Sequence, residues 1–167
     1  MPVLLVLLVV RLVSGGDDDP AADDAPVADL GPTTGQQRED LPVLPVEVPP
    51  ATPEADANCP ALMGSLPLDL LEEPGRMVQS DTPYAAAWGE PPVVLVCGVD
   101  APEGLVPGEG LFTINGVTWF VDQSDPDATV WTAVDRAVYV EVTLPPDLDS
   151  APVTALSGVI AGALPAR

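Results

Sequence analysis

Residues 14–58 carry eight prolines, eleven acidic residues and no aromatic side chain. Proline fixes φ and offers no N–H, and carboxylates at this density repel one another. Ordering a residue costs about 1–2 kcal/mol, more than the few aliphatic side chains of this stretch recover by burial. Residues 14–58 are therefore expected to form a disordered, acidic, proline-rich linker, extended around LPVLPVEVPP. A folded core is left to residues 59–167.

Residues 1–13, MPVLLVLLVVRLV, are apolar except for Arg11. A helix that spans a bilayer needs about 20 apolar residues, whereas the hydrophobic part of a signal peptide needs roughly 7–15. No basic residue precedes the run and Arg11 interrupts its end. It reads as an export signal or a truncated anchor rather than as a strand or helix of the domain. The chain is accordingly expected outside the cytoplasm, secreted or held at the membrane through this segment alone.

The chain has 26 acidic residues against five arginines, with no lysine and no histidine, for a net charge of −21. That field repels phosphate backbones and anionic headgroups, so no nucleic-acid partner is expected. Without histidine the chain lacks the side chain that titrates near neutrality and the commonest metal ligand. Ser-His-Asp and Cys-His catalysis are excluded within the chain, and two cysteines alone do not make a zinc site. No catalytic residue, metal or cofactor is assigned. Asp17, Asp18, Asp19, Asp23 and Asp24 read as a solvated charge run. The D-x-x-D-x-D spacing of Asp122, Asp125 and Asp127 lacks the glycine and terminal glutamate of an EF-hand loop and reads as a polar turn.

Within 59–167 the patterns are those of short strands. CPALMGSLP, with Leu62 and Leu66 at helical spacing, predicts a helical turn ended by Pro67. LDLLEEPGRM reads as loop, and residues 84–88 of TPYAAAWGEPP as a second helical turn. VVLVCGV is apolar on both faces, as in a strand buried on both sides. LFTI and VTWFV flank Asn115 and Gly116, a type I′ hairpin signal. TVWTAV is the next strand. In AVYVEVTLP, Val138, Val140, Val142 and Leu144 alternate with Tyr139, Glu141 and Thr143. The C-terminal run reads as a helix with Ser150 as N-cap, Pro152 in the first turn and an apolar stripe from Val153 to Leu164. The expectation is an α+β domain, with an antiparallel sheet of about five strands, a C-terminal helix and short N-terminal helical turns.

Cys59 and Pro60, AAAWGEPPVVLVCGV, INGVTWF, WTAVDRAVYVEVTLP and the C-terminal apolar helix follow one another in this chain. In that order they resemble the actinobacterial domain-of-unknown-function family thirty-five fifteen. The resemblance covers residues 59–164 and implies an extracytoplasmic location with no established activity. Two positions depart from it. Asp135 precedes Arg136 where members carry glycine, and Val96 precedes Cys97 where members often carry a basic residue.

Cys97 has no lysine or histidine in the chain to lower its pKa and no companions for a metal site. Export supplies an oxidising compartment, and Cys59 is the one available partner. A Cys59–Cys97 disulfide is expected, over a buried free thiol or a reactive one.

Arg136, Trp131, Tyr139 and Glu141 form the candidate ligand-binding set. Arg136 can hold a carboxylate or phosphate in a bidentate fork, or serve the fold by pairing with Glu141 or Asp135 or capping loop carbonyls. Trp88 and Trp119 are read as core, whereas Trp131 and Tyr139 stay open between core and a half-exposed sheet face shared with Glu141. The expected role is a non-catalytic binding or accessory module of the cell envelope, meeting an envelope protein or cell-wall component. The alternative is a carboxylate-based hydrolase with Arg136 clamping an anionic substrate.

Overall fold

Thr52 and Pro53 open the first helix. The computed structural model describes residues 39–106 and 108–167, so the expected signal or anchor at 1–13 and the aspartates at 17–24 lie outside the described residues. A short strand β1 (Leu44–Pro45) precedes helix α1 (Pro53–Met63). The Thr52 hydroxyl accepts from the Ala55 N–H at 3.1 Å, and Pro53 occupies the first turn, where a missing N–H costs nothing. Glu54 and Asp56 sit beside them at the positive end of the helix dipole. Regular backbone therefore starts upstream of Cys59, inside the stretch whose composition predicts a linker. Three short strands follow, β2 (Asp69–Leu70), β3 (Glu73–Pro74) and β4 (Val78–Gln79). β2 pairs with β3 antiparallel, and β1 with β4 parallel.

The main sheet contains β5 (Ala85–Trp88), β6 (Val93–Val99), β7 (Leu111–Ile114), β8 (Val117–Asp122), β9 (Thr129–Ala133) and β10 (Tyr139–Leu144), and helix α2 (Ala151–Ala163) follows. Its order is β5-β6-β10-β9-β8-β7, antiparallel throughout. The sixth strand is β5, where the alanine run predicts a helical turn. Alanine's helix advantage is below about 1 kcal/mol per residue, and the ladder that pairs Ala85 with Val96 and Trp88 with Val93 outweighs it. The Asn115 and Gly116 hairpin forms as expected, with φ of 48° and 80° at the two positions.

Cross-strand partners share a face. Val140 pairs with Cys97 and Ala133, Val142 with Leu95 and Trp131, and Trp119 with Ala133, which puts all of them on the side that the helices cover. Helix α1 contributes Ala55, Cys59 and Leu62, and α2 contributes Val153, Leu156 and Ile160. At Gly98 the backbone has φ +86°, and an added Cβ would lie 2.8 Å from the Cβ of Ala55. Only glycine lets α1 approach β6 this closely. The approach brings Cys59 and Cys97 to a Cα–Cα distance of 5.8 Å, and they form the expected disulfide.

Trp119 is fully buried. Its indole N–H donates to Ser157 Oγ at 3.0 Å, and Ser157 donates to the Val153 carbonyl at 2.7 Å, so a polar pair inside the core is satisfied. Ser150 stands at the N-cap of α2, but its hydroxyl makes no cap bond. The Asp149 carboxylate accepts from the Ala151 N–H at 2.9 Å instead.

Candidate functional site

Arg136 lies in the turn between β9 and β10, 5% exposed. Its guanidinium donates to the carbonyl of Gly116, in the β7–β8 hairpin, and to the carbonyl of Leu164 at 3.5 Å, at the C-cap of α2. Its Nε is 3.3 Å from Asp135 Oδ1. The last carbonyls of a helix have no intrahelical donor and carry partial negative charge, which an arginine here satisfies. The Arg136 backbone is also engaged, forming an antiparallel bridge with Ala166 while its carbonyl accepts from the Arg167 guanidinium. Arg136 ties the hairpin, the final helix and the chain's last residues together.

Glu141 projects from the sheet face opposite the helices, between Val96 on β6 and Thr132 on β9. It lines a cavity of about 640 Å³ with Glu47, Asp81 and Asp100. Burial pushes the Glu141 carboxyl above the usual carboxylate range. The carboxylate has no hydrogen-bond or ion-pair partner among the described residues. Its cross-strand neighbour is Val96, the position where the resemblance leads one to expect a base. No group of three or more His, Cys, Asp or Glu among the described residues is placed to hold a metal ion.

A raised folded-state pKa means that the contribution of Glu141 to stability is fully present below its unfolded pKa, about 4.3, and is lost as pH rises through the folded value. Glu141→Gln is therefore expected to raise stability at neutral pH, with the gain shrinking as pH falls towards about 4. Urea unfolding at the two pH values measures it. A gain that stays the same at both would show that burial of the charge is not its source.

The structure separates the four candidate residues. Trp131 pairs with Val142 and Val121, on the helix side of the sheet and away from Glu141. It packs edge-on to Trp119 at 6.3 Å between ring centroids and tilted against the exposed Phe112 at 6.2 Å. Tyr139 lies beneath the Arg167 guanidinium, 4.4 Å from the ring centroid, in a cavity of about 430 Å³ bordered by Thr52 and Glu54. Of the two readings open for Trp131, the core side holds, because the ladder register puts Glu141 and Trp131 on alternate sides. Arg136 lines neither of these cavities.

A larger concavity opens at the other end of β6 and β10. The register that pairs Thr143 with Val94 sets Pro91 and Pro92, ahead of β6, beside Pro145 and Pro146, after β10. Together they border a groove of about 720 Å³ floored by the buried Trp88, Val93, Leu144 and Pro152. Leu71, on the β2–β3 turn, and Leu148 stand in its walls, 52% and 43% exposed. Its edge carries Glu73, Glu90, Asp127 and Asp147 and, among the described residues, no cationic side chain. Glu90 is paired with the buried Arg76. The other three carboxylates have no side-chain partner among the described residues. The two Pro-Pro pairs are visible in the sequence, but their adjacency depends on strand register.

Among the described residues no helix is long and apolar enough to cross a membrane. The disulfide points to an extracytoplasmic protein, since such bridges persist in oxidising compartments. No curated protein and no solved structure matches the chain. A family model described as a protein of unknown function, DUF3515, matches residues 3–167, which takes the similarity through the N-terminal stretch as well as the folded part. With nearly its whole length matched, the chain belongs to the DUF3515 family.

Proposed function

We propose that this protein is a non-catalytic binding module of the cell envelope, secreted or held at the membrane by its N-terminal segment, and that it docks an envelope partner in the proline-bordered groove. The carrying observation is the groove itself. Its volume of about 720 Å³ falls in the range of roughly 300–1,000 Å³ typical of ligand sites. Two leucines remain exposed in its walls, where a monomer gains nothing from leaving them in water.

The alternative, a carboxylate-based hydrolase, draws support from the raised pKa of Glu141. Among the described residues no arginine clamps that carboxyl, and the Arg136 guanidinium is occupied by the Gly116 and Leu164 carbonyls.

The test is a photo-crosslinking amino acid placed at Leu148 in the full chain, expressed in its native host, with the exposed Thr113 on β7 as control. A discrete adduct is expected from position 148 alone, and it should disappear when Leu71→Glu is added on the facing wall. The reading is overturned by no adduct at 148, by the same adduct at 113, or by an adduct indifferent to the Leu71 change.

A further inference from the structure

We infer that the occupant of the groove is an extended protein segment with an aliphatic centre and flanking arginines or lysines. This rests on the groove being the docking surface and adds the chemistry of what docks. The floor and walls are apolar, so they reward burial of Leu- or Val-sized side chains. Five prolines line it, Pro91, Pro92, Pro145, Pro146 and Pro152, and none offers an N–H. A partner strand finds no backbone donor at those five positions, so its side chains carry more of the recognition.

Charge complementarity selects the flanks. Glu73, Asp127 and Asp147 are exposed at the edge, and among the described residues they have no partner and no cation lines the groove. Of the arginines among the described residues, Arg76 and Arg136 are buried and Arg167 lies over Tyr139 in a separate cavity. A cationic segment is therefore attracted without competition from the domain's own bases. A second copy of this chain would bring a net charge of −21 against the same carboxylates.

Calorimetry on the full chain with three short peptides tests the inference. One has a Leu/Val centre flanked by arginines, one the same centre flanked by glutamates, and one a Gly/Ser centre flanked by arginines. The first is expected to bind about tenfold or more tightly than the others, with affinity falling as salt rises. Asp127→Lys combined with Asp147→Lys, both at exposed positions, should invert the preference between the first two. Equal affinity for the arginine- and glutamate-flanked peptides would overturn the charge assignment and leave the groove reading standing. Equal affinity for the Gly/Ser centre would overturn both, since the apolar floor would then contribute nothing. No binding of the first peptide, with the crosslink at 148 intact, would overturn the partner chemistry alone. So would a dimer in sedimentation equilibrium that Leu148→Glu dissolves.

Discussion

Replacing both cysteines, Cys59→Ala with Cys97→Ala, is expected to lower the unfolding free energy by about 4 kcal/mol. The bridge closes a sequence separation of 38 residues, and in the chain-entropy model a loop of that length restricts the unfolded ensemble by about that amount. A domain of this size has a total stability of about 5–15 kcal/mol, so the bridge supplies between about a quarter and four fifths of it. Urea unfolding of the oxidised chain and the double variant measures the difference. Both cysteines are buried, at 0% and 1% exposure, so reductant should open the bridge only when denaturant exposes it. A loss below about 1 kcal/mol, or rapid reduction of the native protein, would show that the bridge is not what holds α1 on the sheet.

The second large effect is expected at Arg136. Arg136→Leu removes the donor to Gly116 and Leu164 and leaves both carbonyls without it, with Asp135 losing its ion pair. Losing a charge-assisted hydrogen bond costs about 1.5–3 kcal/mol, and two are lost here, while Asp135, 30% exposed, adds less. Arg136→Lys should recover only part of this, because an ammonium on a single stem cannot span two carbonyls as the guanidinium fork does. Urea unfolding of the two variants is the measurement. A side chain kept to clamp a ligand would behave differently, and near-native stability in Arg136→Leu would return Arg136 to the list of binding residues.

Elements that rest on local chemistry were legible in the chain. The Asn115 and Gly116 turn needs positive φ at both positions, and the residues themselves state it. The period-2 alternation of β10 marks its buried face, and Val140, Val142 and Leu144 are buried as that pattern requires. The apolar stripe of α2 likewise faces the sheet. The start of α1 was also written locally, in Thr52, Pro53 and Glu54. Counting prolines and acids over a long window hides that cap, since composition averages away a signal of three residues. At β5 local preference pointed the wrong way, because the alanines there are held by a ladder partner distant in sequence.

The candidate sites divide along the same line. A histidine-free, lysine-free, strongly acidic chain with two cysteines contains no Ser-His-Asp, Cys-His or four-ligand Cys/His set, and a disulfide is the natural use of its thiols. These are statements about which groups exist, and a sequence contains them in full. Which groups meet is a matter of register and packing. Strand pairing put Trp131 on the opposite side of the sheet from Glu141, and the end of α2 drew Arg136 inward to its unpaired carbonyls. Antiparallel pairing of β6 with β10 set two Pro-Pro pairs, 54 positions apart by numbering (145 − 91), side by side around one groove. Strand register between distant segments decides such neighbours, and it follows from which faces are buried across the whole sheet, not from any local run of sequence.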